Sequence, residues 1–144
     1  MPSVAVSVDI EAPLAVVWAA AADLASHVQW MADVESIGFE SQSRQGAGTV
    51  MRVATKVGPF RTIDVMKVTA WEPGRRISVE HRGLFTGRGE FELSAVGGAT
   101  RVTWNEAIDF PWRFGGPIGA ALARPFLTLI WRGNLRRLKA LLET

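Results

Sequence analysis

The chain has 144 residues, 48% of them hydrophobic and 21% charged, with a formal net charge of +2. That length and apolar content can bury a core, which excludes intrinsic disorder. No apolar run approaches the roughly 20 residues that span a bilayer, and the absence of cysteine excludes disulfides and thiolate chemistry.

A single domain over residues 1–144 is the expectation. The first residues lack the charged-then-apolar order of an export signal, so a cytoplasmic location is expected. Val4, Val6, Val8 and Ile10 alternate with Ser3, Ala5, Ser7, Asp9 and Glu11, the period of a half-buried strand. "APLAVVWAAAADLASHVQWM" (12–31) then reads as two short helices. Pro13 opens the first ahead of an alanine-rich run, and Ser26 caps the second, which ends near Trp30 and Met31.

From Val34 the text reads as strand after strand. "QGAG" (45–48), "GPF" (58–60), "EPGR" (72–75), "RGLFTG" (82–87) and "GGAT" (97–100) carry the Gly and Pro residues that tight turns need. The expected strands are 34–42, 49–57, 61–71, 76–82, 85–95 and 100–110. With the first strand they make a seven-stranded antiparallel meander. After "PWRFGGP" a helix is expected over 118–142. Its early apolar residues Ile118, Leu122, Phe126 and Leu129 share one face, and Trp131, Leu135, Leu138 and Leu142 share a rotated one. The first half is therefore expected to cover something open and the second half to pack. Pro125 inside should kink it.

A sheet this large can hide its apolar face under one helix only by curling around it, which leaves a hollow suited to a small molecule. Strand parity turns Met51, Val53, Thr55 and Val57 inward, together with Ile77, Val79 and His81, and with Phe85, Phe91 and Leu93. In "VTWNEAIDF" (102–110) it puts Trp104 and Glu106 on that wall among Val102, Ile108 and Phe110. "TIDVMKV" (62–68) is ambiguous, so Asp64 is left unassigned, with a bulge nearby as one resolution.

Glu106 and His81 are the ionisable groups expected inside, and both are candidates for moving a proton or orienting a ligand. The expected ligand-contacting set is Trp30, Met51, Val53, Val79, His81, Phe91, Trp104, Glu106, Leu122, Phe126 and Leu129. Two separated histidines without cysteine make no zinc pattern. No nucleophile elbow or Walker loop occurs, and "GRG" (87–89) is a fragment only. No metal, cofactor or DNA partner is expected.

"VAVSVDIEAPLAVVWAAAADLASHVQWMADVESIGF", "WEPGRRI", "GGATRVTWNEAI" and "GNLRRLKALLE" resemble the SRPBCC or START-like superfamily, nearest its bacterial polyketide cyclase/dehydrase group. The resemblance spans essentially the whole chain. It implies the α+β helix-grip fold of pollen-allergen-like proteins: a curved seven-stranded antiparallel sheet around a long C-terminal helix, with two short helices after the first strand. It also implies an apolar or aromatic, lipid- or polyketide-like ligand in the cavity. The chain has no tyrosine, so a phenolic acid or base is unavailable to a cyclase mechanism, and the longer Gly-rich loop of the pollen-allergen branch is missing.

Three functions follow as expectations. The first is binding of a small hydrophobic molecule. The second is a polyketide cyclase/dehydratase-like lyase or isomerase using Glu106 with His81, so whether the chain is an enzyme stays open. The third is a toxin-like module that binds a ribosome or an antitoxin partner through its basic C-terminal helix, where Arg132, Arg136, Arg137 and Lys139 accompany a surface-facing Trp131. No stable membrane insertion is expected, and a homodimer is left open.

Overall fold

The structure, a computed structural model, describes residues 3–143. Strand β1 (Ser3–Ile10) leads into helix α1 (Leu14–Ala22) and a 3₁₀ helix (Leu24–Gln29). Six strands follow: β2 (Val34–Phe39), β3 (Val50–Val57), β4 (Phe60–Glu72), β5 (Arg76–Arg82), β6 (Thr86–Val96) and β7 (Ala99–Asp109). A 3₁₀ turn (Trp112–Phe114) then precedes helix α2 (Gly116–Leu142). The sheet is antiparallel throughout, in the order β1-β7-β6-β5-β4-β3-β2. The expected α+β helix-grip architecture and seven-strand meander are what is seen.

The differences from expectation are local. β2 ends at Phe39 rather than 42, and α2 starts two residues before Ile118. Ser26 lies within the 3₁₀ helix instead of capping it: the flanking residue is Asp23, and the Ser26 hydroxyl donates back to the Asp23 carbonyl at 2.6 Å. α2 runs on through Pro125. Pro125 and Ala121, whose carbonyl loses its helical partner there, lie on the exposed side, where water can satisfy that oxygen.

The register of β4 is unbroken through 62–68, so its conflicting parity is settled there without a bulge, and a register shift against β5 follows between Val68 and Ala70. Before the shift Met66 and the fully buried Val68 face inward and Ile63 is 62% exposed. After it Trp71 pairs with Ile77 and packs inward. The bulge thus brings Trp71 to the side of Met66 and Val68, while Ile63 stays on the outer face.

Two core clusters flank a hollow. One joins β1, β6 and β7 to the second half of α2 through Val6, Ile10, Leu93, Val102, Trp131, Leu135 and Leu138. The other sets α1 and the 3₁₀ helix on Met51, Val53, Val68 and Ile77. α2 packs chiefly along β1 and more lightly on β7. It thereby grips one side of the curved sheet and leaves the β2–β4 side standing off.

Polar anchors hold that placement. Asn134, fully buried, accepts the Ala32 N–H at 3.0 Å and donates to Asp33 Oδ1 at 2.8 Å. Arg137 donates to Asn134 Oδ1 and to the Trp30 carbonyl. In the last turn Lys139 reaches the Asp9 carbonyl at 2.8 Å, and Glu143 accepts the Glu11 N–H at 2.7 Å.

Candidate functional site

Between sheet and helix lies a chamber of about 530 Å³. That is within the size range of small-molecule pockets. Its wall is overwhelmingly apolar and draws on β2 to β7, the 3₁₀ helix and the first half of α2. Phe60, Arg61, Phe114 and Phe126 belong to the wall yet are exposed, and they mark where the chamber opens.

Glu106 sits in that wall on β7 and is buried. Its strand neighbours explain how a carboxylate fits there. On β6 it faces Gly89, where a Cβ would overlap the carboxylate oxygens. Only a glycine leaves that room, which gives the second glycine of "GRG" a purpose unrelated to nucleotides.

Both carboxylate oxygens are used. Trp104, two residues back on the same face, donates its indole N–H to Oε1 at 3.0 Å. His81 Nε2 lies 2.8 Å from Oε2. Burial alone would depress the His81 pKa, but the hydrogen bond and charge of Glu106, assisted by the charge of Asp64, carry it above the ordinary imidazole value. An imidazolium donating to a carboxylate is the arrangement this favours.

Asp64 completes the polar group, facing inward from β4. Burial raises its pKa, opposed by the charge of His81 and by the Leu84 N–H and Thr62 hydroxyl. Its Oδ1 has no hydrogen-bond partner among the described residues and presses against Gly83. The Asp64, His81 and Glu106 side chains do not form a metal site: no group of three His, Cys, Asp or Glu side chains among the described residues could hold an ion.

Of the expected ligand-contacting residues, Met51, Val53, Val79, His81, Phe91, Trp104, Glu106 and Phe126 line the chamber. Trp30, Leu122 and Leu129 do not. Trp30 is buried behind the wall, with its ring centroid 5.9 Å from that of Phe91 and 6.4 Å from that of Trp104. Leu122 and Leu129 point outward at 71% and 65% exposure, as does Ile118.

The rotation of α2 is set by Asn134, Leu135 and Leu138 in its packed half. Carried back along the helix, that rotation turns Ala123, Leu127 and Ile130 to the chamber instead. Trp131 is likewise corrected: it is 6% exposed, with its ring centroid 5.4 Å from that of Trp104.

His27 was not legible from the sequence. It lines the chamber from the 3₁₀ helix, against Trp30 and Phe91. Burial lowers its pKa to about 4, opposed by its bond to the Ala21 carbonyl and the charge of Asp23. A neutral ring facing a carbonyl must carry its proton on Nε2, which donates to Ala21 O at 2.9 Å. No periodicity marks a residue in a six-residue 3₁₀ helix, so no sequence signal pointed to it.

The sequence profile of the family described as "Polyketide cyclase / dehydrase and lipid transport" matches residues 1–143. The chain belongs to this family. Comparison with curated proteins gives no match. Among solved structures, this polyketide cyclase/dehydrase-family chain is similar to TTHA0849 from Thermus thermophilus, at 21% identity and a TM-score of 0.77, over 96% of this chain and 95% of that one. It is also similar to a START superfamily protein from Mycobacterium smegmatis, at 14% identity and a TM-score of 0.79, over 98% and 97%. A third is the Zhui aromatase/cyclase from Streptomyces sp. R1128, at 16% identity and a TM-score of 0.72, over 99% and 93%. These likenesses establish the START/SRPBCC fold. The family supports a hydrophobic ligand-binding or polyketide-cyclase role.

Proposed function

We propose that the chain binds a small hydrophobic or aromatic molecule, lipid- or polyketide-like, in the chamber between sheet and α2. The observation that carries this reading is an apolar space of about 530 Å³ with one carboxylate–imidazole pair in its wall. Met51, Val53, Val79, Phe91, Trp104 and Phe126 supply the apolar contact. Glu106 and His81 orient a polar group of the ligand. Native mass spectrometry of the purified protein, followed by displacement of an environment-sensitive dye by a panel of lipids and polyketide-like aromatics, tests it. Binding that weakens in Trp104→Ala while circular dichroism is unchanged is the expected result. A protein that carries no compound and responds to none of the panel overturns it.

A second reading, ring closure or dehydration of a poly-ketone chain, is favoured by the 2.8 Å His81–Glu106 contact. Glu106 would take a proton from carbon, and the imidazolium of His81 would protonate the carbonyl oxygen. Full turnover by Glu106→Gln would remove it. The toxin-like reading has less support. Trp131 is buried, while Arg137 and Lys139 bond within the fold. Of its motivating set, Arg132 and Arg136 are exposed without such a bond among the described residues.

A further inference from the structure

An apolar stripe runs along the outside of α2 and the turn before it. Trp112, Ile118, Leu122, Phe126 and Leu129 are 89%, 74%, 71%, 68% and 65% exposed. Positions 118, 122, 126 and 129 share one helix face over roughly 16 Å at 1.5 Å per residue. Contiguous exposed apolar surface on this scale marks an interaction site.

The charged side chains of α2 and of the turn before it have one sign. Arg113, Arg124, Arg132 and Arg136 are exposed. None has an acidic partner within 4.0 Å among the described residues, whereas six of the eight arginines before Phe110 are paired (Arg52, Arg61, Arg75, Arg76, Arg82 and Arg101) and Arg44 and Arg88 are not. From Phe110 to Leu142 there is no Asp or Glu at all. A second copy docking here about a twofold axis would bring arginines together and offer them no carboxylate. An anionic phospholipid surface complements both features: apolar side chains enter the acyl boundary and arginines meet phosphate.

The stripe also reaches the chamber. Phe126 belongs to both the stripe and the wall, and Phe60, 64% exposed, belongs to the wall as well.

We propose that the outer face of α2, with Trp112, docks this protein reversibly on anionic phospholipid membranes and brings the mouth of the chamber to the acyl layer. The docking is peripheral, since no helix among the described residues is long and apolar enough to cross a membrane. Its purpose, loading or unloading an apolar ligand, rests on the reading of the chamber given above.

Co-sedimentation with vesicles of phosphatidylglycerol and phosphatidylcholine, against phosphatidylcholine alone, tests the proposal. Binding is expected to the anionic vesicles and to fall as salt rises. Neutralising two cations in Arg132→Gln/Arg136→Gln should weaken it about 25-fold, at about fivefold per charge. Leu122→Glu/Leu129→Glu, at exposed positions off the chamber wall, should abolish it while dye displacement in solution persists. Vesicle binding together with a chamber that takes up no apolar compound would sink the chamber reading and leave the docking surface standing. Equal sedimentation with neutral vesicles, undiminished binding by the double glutamate variant, or a wild-type dimer that this variant makes monomeric would overturn the docking proposal.

Discussion

Replacing Glu106 with glutamine isolates the contribution of its charge, because glutamine keeps an acceptor for the Trp104 indole and a group for His81 to bond. The chain has two histidines, so the imidazole titration can be followed without crowding. In the wild type His81 titrates above 6.5, and His27 is lowered to about 4. Without the Glu106 charge, burial of His81 is opposed only by Asp64, so the higher value must fall while the lower one stays.

The energetic consequence is the difference between a charge-assisted and a neutral buried hydrogen bond, about 1–2 kcal/mol. Its sign depends on pH. A raised imidazole pKa adds stability that is complete below about 6.5 and disappears as pH rises through the folded value. The cost of Glu106→Gln is therefore largest at pH 6 and smaller at pH 9. Proton NMR of the two Cε1–H signals, with urea unfolding at both pH values, measures it. The reasoning fails if the higher pKa does not drop by roughly one unit, if the lower one moves instead, or if the destabilisation grows with pH.

Four further outcomes are expected. His27 stays neutral in the fold but takes up a proton when unfolded, so stability should fall as pH drops from 6.5 to about 4. The loss reaches about 3 kcal/mol, and the slope should flatten in His27→Gln on urea titration. Gly89→Val forces the Glu106 carboxylate aside and should cost about 1–3 kcal/mol by urea unfolding, with the His81 pKa falling as it does in Glu106→Gln. Asp64→Asn removes a charge whose pKa burial has raised; the Tm measured by circular dichroism should therefore rise at pH 8, with no such gain at pH 3, where both states are protonated. Asn134→Leu leaves the Ala32 N–H and the Arg137 guanidinium without their shared acceptor and should cost about 1–3 kcal/mol, again by urea unfolding.

Some of the architecture was legible from local pattern. Alternation at Val4–Ile10 and Val102–Phe110 and turn chemistry at "EPGR" and "GGAT" set seven strands in order, because strand period and turn geometry are properties of a few neighbouring residues. The same parity turned Glu106, His81 and Trp104 to one wall. It could not bring Glu106 against His81 at 2.8 Å, since their strands are separated by β6, where Gly89 leaves the room that the carboxylate occupies. Asp64 was undecidable because Ile63 and Val65 on one side of its strand compete with Met66 and Val68 on the other, and only packing in the core buries Val68, leaves Ile63 exposed and so turns Asp64 inward.

The helix shows the division most clearly. From the sequence, α2 is long, amphipathic, basic and free of acids. Which of its faces meets the sheet was read wrongly at Leu122 and Leu129, because apolar residues occur on two sides and hydrophobicity alone does not rank them. Tertiary contacts at Asn134, Leu135 and Leu138 set the rotation. Composition and order determined that a sheet would wrap a helix. The long-range packing of one half of that helix decided what its other half shows to the chamber and what it leaves to the solvent.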